Sequence, residues 1–112
     1  MPSFLEKLQA LDLPRVPPPT IPDSVIMVAD RLGLAITLTS PSAPQQYEIT
    51  QGAQASGYIR VRWGGMSVDY PDAGDEELYE GSADGFGAFT DDEREAKLLL
   101  ALGLIAARIL RG

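Results

Sequence analysis

From Leu98 to Leu110 the chain reads LLLALGLIAARIL, a run in which Arg108 is the sole charged residue. It lies in a predicted helix over 90–111. Thr90 and Glu93 open that helix at capping-box spacing, and Asp91 and Asp92 add negative charge where the helix dipole favours it. A helix apolar on every side must be covered on every side, by a core or by a second copy. The fold has to be built around this element. The run is still far shorter than the roughly 18 apolar residues of a membrane span.

The segment in front of it has the opposite character. Residues 69–95 hold eleven carboxylates against one base, Arg94, so the remainder of this net −7 chain is mildly basic. Capping of the last helix accounts for the carboxylates at 91–93, but not for those from Asp72 to Asp84. Such acidity opposes nucleic-acid binding, which depends on neutralising phosphates with Lys and Arg. It favours basic protein surfaces.

At 112 residues the chain is read as one domain, 1–112. It divides into an N-terminal helix over 1–13, a proline-rich linker over 14–20, and an α+β body over 21–112 with an acidic loop at 71–89. Ser3 and Glu6 have capping-box spacing, and Phe4, Leu8 and Leu11 share one face of the first helix. Pro17, Pro18 and Pro19 favour an extended segment that lays this helix on the body, the alternative being a partner-docking arm.

Thr20 is the expected cap of a second helix carrying Ile21, Val25, Val28 or Ala29, and Leu32 inward and ending at Gly33. Strand alternation follows in Leu34, Ile36 and Leu38, then in Tyr47 and Ile49, with a loop at 51–57. It is clearest in Ile59, Val61 and Trp63, which are read as core-facing, with Tyr58, Arg60 and Arg62 on the other face. Gly64-Gly65 is the expected two-residue turn, and Met66, Val68 and Tyr70 return as a fourth strand. Arg60 and Arg62 would then stand near Glu48 and Asp69. The acidic stretch is read as loop with a short helical turn over 75–79. The fold class is α+β: a small antiparallel four-stranded meander packed against helices, with the long C-terminal helix as its core element.

Several chemistries are excluded by residue type. The chain has no His and no Cys, which removes the Ser-His-Asp triad, thiolate nucleophiles, disulfides and the commonest zinc ligands. Lys7 and Lys97 have no serine at the spacing a Ser-Lys dyad requires. Glycines at 81, 85 and 87 lack phosphate-loop spacing. Asp72, Asp75, Glu76, Glu77 and Glu80 offer oxygen ligands for calcium, but without the EF-hand pattern. The chain is therefore expected to be non-enzymatic, with no metal or cofactor, and cytoplasmic.

Its expected function is to engage and mask a basic protein surface, as small acidic inhibitors of nucleic-acid-handling proteins do. Immunity proteins and phage-encoded anti-defence inhibitors work on that physical logic. Asp72, Asp75, Glu76, Glu77, Glu80 and Asp84 would carry the charge, with Tyr79 and Phe86 as apolar anchors. The alternative is an oligomeric structural or chaperone-like subunit. Leu99, Gly103, Ala106, Ala107 and Leu110 would then form a seam, because small residues admit a second helix closely.

Overall fold

The computed structural model describes residues 19–112, so the predicted first helix and most of the proline segment lie outside the described residues. The described chain forms helix α1 (Asp23–Arg31) and five strands, β1 (Ala35–Pro41), β2 (Gln45–Gln51), β3 (Gln54–Arg62), β4 (Gly65–Tyr70) and β5 (Glu76–Ser82). Helix α2 (Asp91–Arg111) closes the fold. The strands make one antiparallel sheet in the order β1-β2-β3-β4-β5. Both helices lie on one face of it, as the core residues show, and among the described residues no helix covers the other face.

Helix α1 starts two residues later than expected, with Pro22 rather than Thr20 at the N-cap. A residue preceding proline is biased away from helical backbone, so Ile21 cannot open the helix. Its end follows the sequence. Gly33 has φ +72°, and Gly33 and Leu34 donate to the carbonyls of Asp30 and Ala29, the paired bonds of a Schellman stop.

Helix α2 is capped as its sequence predicts. The Thr90 hydroxyl accepts from the Glu93 amide, and the Glu93 carboxylate accepts from the Thr90 amide at 2.9 Å. Leu98, Ala101, Leu102 and Ile105 are fully buried against the sheet. There they meet the inward residues of paired strands: Tyr47 opposite Ile59, Ile59 opposite Val68, and Val61 opposite Met66.

Three further sequence expectations fail, each for an identifiable reason. The acidic stretch is not one loop with a helical turn at 75–79, because residues 76–82 form the fifth strand on the edge beside β4. Its three glutamates and one glycine are poor strand formers. A bulge opposite Val68–Asp69 also breaks the alternation, leaving Leu78 and Tyr79 both half-buried.

The loop expected at 51–57 is mostly strand. Gly57 pairs with Ile49 inside β3, and a Cβ there would lie 2.3 Å from Cδ1 of Ile105. Its glycine marks the close approach of α2, not a turn.

The third correction moves Trp63 out of the core. The hairpin turn is Trp63-Gly64, not Gly64-Gly65: Arg62 pairs with Gly65, and Trp63 and Gly64 have φ +58° and +72°. Both central residues of a type I′ turn need positive φ. The turn is held in this register by the 83–90 loop, since Gly64 donates to the Phe86 carbonyl at 2.8 Å and accepts from the Ala83 amide at 2.9 Å. Trp63 is consequently 72% exposed.

Candidate functional site

The 83–90 loop is fixed from three directions. The Glu93 carboxylate accepts from the amides of Asp84, Gly85 and Thr90 at 2.8, 2.8 and 2.9 Å. Burial acts to raise the pKa of Glu93, but the backbone donors of Thr90, Asp84 and Gly85 outweigh it and hold the carboxyl below its ordinary value.

From β2, the buried Gln45 side chain accepts from the Phe89 amide and the Tyr47 hydroxyl and donates to the Pro41 carbonyl. The amides of Ala43 and Gln45 both donate to the Gly87 carbonyl. Arg94, also buried, donates to Asp91 and to the Phe89 carbonyl. Burial raises the Tyr47 phenol above its ordinary value, with Arg94 opposing that shift.

This bracing presents Phe86, 67% exposed, edge-on to Trp63 at 5.5 Å between ring centroids. The two rings, with Ala43, Arg62 and Gly87, border an apolar hollow of about 110 Å³. Ala43 (φ +51°) and Trp63 are the non-glycine residues with positive φ among the described residues, and both stand at this hollow. Left-handed backbone costs an L-residue about 1–2 kcal/mol. Left-handed backbone at two non-glycine positions and an exposed aromatic pair therefore coincide at one hollow.

Beside it on the open sheet face lies a cleft of about 260 Å³, lined by Arg60, Arg62, Trp63, Gly65, Ser67 and Glu80. The expected pairing of the arginines with Glu48 and Asp69 is one row out of register, because Tyr58 stands opposite those two acids while Arg60 faces Gln46 and Ser67. Burial raises the Tyr58 phenol. Arg60 opposes that shift, and Asp69 and Glu48 add to it.

The expected partner-binding residues are not gathered on one surface. Asp72 and Asp75 occupy the exposed β4–β5 turn, where Asp72 accepts from the Ala73 amide. Glu76 is committed to the helix layer: it pairs with Arg108 at 2.6 Å, whose guanidinium also lies over the Tyr70 ring. Tyr79 packs against the core and is no free anchor. Glu77 and Glu80 are exposed on the open face, in register with Asp69 and Ser67. Asp84 is exposed at the far end of the sheet, beside Phe86 in the chain. Among the described residues, no group of three or more His, Cys, Asp or Glu side chains could hold a metal ion.

The expected seam residues also divide. Leu99 and Ala106 are half-buried, Leu99 against the core, whereas Gly103, Ala107 and Leu110 are exposed. With Leu100, those three form an outward stripe on α2. No helix among the described residues is long and apolar enough to cross a membrane.

Trp63 is the site residue that sequence reasoning missed. The signal was Gly64, which as the second central residue of a type I′ turn also admits the Trp63-Gly64 register. Comparison of the chain with protein-family models, curated proteins and solved structures finds no match, so the site is read from its own geometry.

Proposed function

We propose that the protein is a non-catalytic binding protein that docks a protein partner on the Trp63–Phe86 corner. The observation that carries this reading is a tryptophan held in a strained turn, exposed, and buttressed by a second exposed aromatic on a braced loop. Tryptophan and arginine are the residue types that most often dominate interface energetics, and both stand here. The net charge of −7, with Glu80 in the adjoining cleft, favours a partner that is basic overall. The nucleic-acid-binding surface of another protein is of that kind, and docking would mask it.

The test exploits the strain. Asparagine followed by glycine is the preferred type I′ pair, so Trp63→Asn should leave the melting temperature unchanged or raise it. The same substitution should weaken partner binding by on the order of 2 kcal/mol, about thirtyfold, and Phe86→Ala should weaken it comparably. Partner recovery from a lysate on the tagged protein, read by mass spectrometry, is lost in both variants if the corner is the docking site. Undiminished recovery would refute it.

A second reading has its own observation. Ile26, Met27, Leu100 and Leu110 are exposed on the helix layer, Leu110 at 88%, and a copy of the chain could cover them. Gly103 decides between the readings. Among the described residues, nothing lies within 4 Å of a Cβ built there. In a monomer Gly103→Ala should therefore stabilise by about 0.5–1 kcal/mol, since glycine is a poor residue in a helix interior. Loss of an oligomer in sedimentation, with a fall in melting temperature, would instead place Gly103 in a seam.

A further inference from the structure

We infer that the cleft beside Trp63 receives a carboxylate of the docked partner, so that the bound segment carries an acidic residue close to the apolar residue lying on Trp63 and Phe86. This rests on the docking role of the corner and adds the chemistry of what docks there. Arg60 and Arg62 alternate along β3, so both side chains rise from the open face into the same cleft.

Among the described residues neither arginine forms an ion pair or a side-chain hydrogen bond. The buried Arg94 and the half-buried Arg108, by contrast, each hold a carboxylate. The register explains the difference. Acids on the neighbouring strands stand opposite Tyr58, whereas the positions opposite the arginines are Gln46, Ser67 and Gly65. Ser67 and Gly65 are small, and they leave an open floor between the two guanidiniums and Glu80 on the far wall.

A guanidinium offers a planar fork of donors that matches a carboxylate, and two forks above an open floor can converge on one. The surrounding charge narrows the choice of anion. Glu48, Asp69, Glu77 and Glu80 share this face, so a polyanion following the sheet would meet repulsion outside the cleft. A single carboxylate flanked by neutral or apolar groups does not. Glu80 leaves a place for a donor on the partner next to that carboxylate, which fixes the direction in which the segment lies. A partner that is basic overall can still supply one such acid, since net charge governs encounter while local pairs set register.

The test is selection from a random peptide library displayed on phage, panned on the full chain, on Arg60→Gln/Arg62→Gln and on Trp63→Asn. Both variants are first checked for wild-type melting. Trp63 is the only tryptophan in the chain, so its emission reports binding of each selected synthetic peptide. The expected result is that the wild-type chain enriches peptides with Asp or Glu within three residues of a large apolar side chain. Amidating that acid should weaken binding about tenfold or more. The double arginine variant should show the same loss, with no further loss when the two changes are combined.

Enrichment of apolar peptides without an acid would overturn the inference and leave docking at the corner standing. An acid-containing peptide bound equally by the arginine variant would do the same. Failure of the wild-type chain to enrich any peptide would overturn both readings. So would a change in Trp63 emission produced only by an oligothymidylate probe, which would reassign the face to single-stranded nucleic acid.

Discussion

Replacing Glu93 with alanine should destabilise the protein by on the order of 3 kcal/mol and release the loop that displays Phe86. The side chain is nearly buried and its two oxygens serve three backbone donors, those of Asp84, Gly85 and Thr90. A buried donor left without a partner costs about 1–3 kcal/mol, and partial access to water at the loop moderates the total. Hydrogen exchange should quicken at those three amides before it quickens in the strands. Binding at the Trp63–Phe86 corner should weaken as well, although Glu93 lies outside the cleft and the hollow.

The acid response has a definite sign. The folded-state pKa of Glu93 is lowered from an ordinary value of 4.5. The stabilisation is therefore complete above that value and is lost as the pH falls through the folded pKa. Glu93→Gln lacks this titrating group, while the other carboxylates act alike in both proteins. The stability gap between wild type and Glu93→Gln should shrink as the pH drops below about 4.5. A gap that stays constant down to acid unfolding would remove the ionised carboxylate from this role.

The second large effect is expected at the contact between sheet and helix. A Cβ at Gly57 would fall 2.3 Å from Cδ1 and 3.0 Å from Cγ1 of Ile105, a fully buried side chain. Gly57→Ala should destabilise by about 1–3 kcal/mol through overpacking. Ile105→Val removes the nearest of those atoms and by itself should cost about 0.5–1.5 kcal/mol. Because the two changes act on the same space, the double variant should be more stable than the sum of the single effects implies. Strict additivity in urea unfolding would show that α2 shifts away from β3 rather than colliding with it.

Both effects trace to features of differing legibility. The capping box was readable, because Thr90 and Glu93 are a local signal three residues apart. That the same carboxylate also gathers Asp84 and Gly85 was not, since those contacts span eight and nine residues of irregular chain. The Gly33 stop, the alternation of β1 to β4 and the buried face of α2 were likewise local patterns of period 2 or 3.6.

β5 escaped because its glutamates are poor strand formers and a bulge interrupts its alternation; its place is fixed by pairing with β4. The acidic run suggested a single charged surface, yet pleating and helix packing send Glu76 to Arg108, Tyr79 to the core, and Glu77 and Glu80 to the open face.

The sequence by itself determined the α+β class, the antiparallel meander, the capped C-terminal helix and the chemistries its composition excludes. These depend on residue type and short-range periodicity. Tertiary structure decided where the exposed aromatic corner lies. With either register of the β3–β4 hairpin, Ile59, Val61, Met66 and Val68 face the core, so hydrophobic pattern alone cannot choose between them. The choice is made by Gly64, bonded on both its amide and its carbonyl to the 83–90 loop, which turns Trp63 outward beside Phe86.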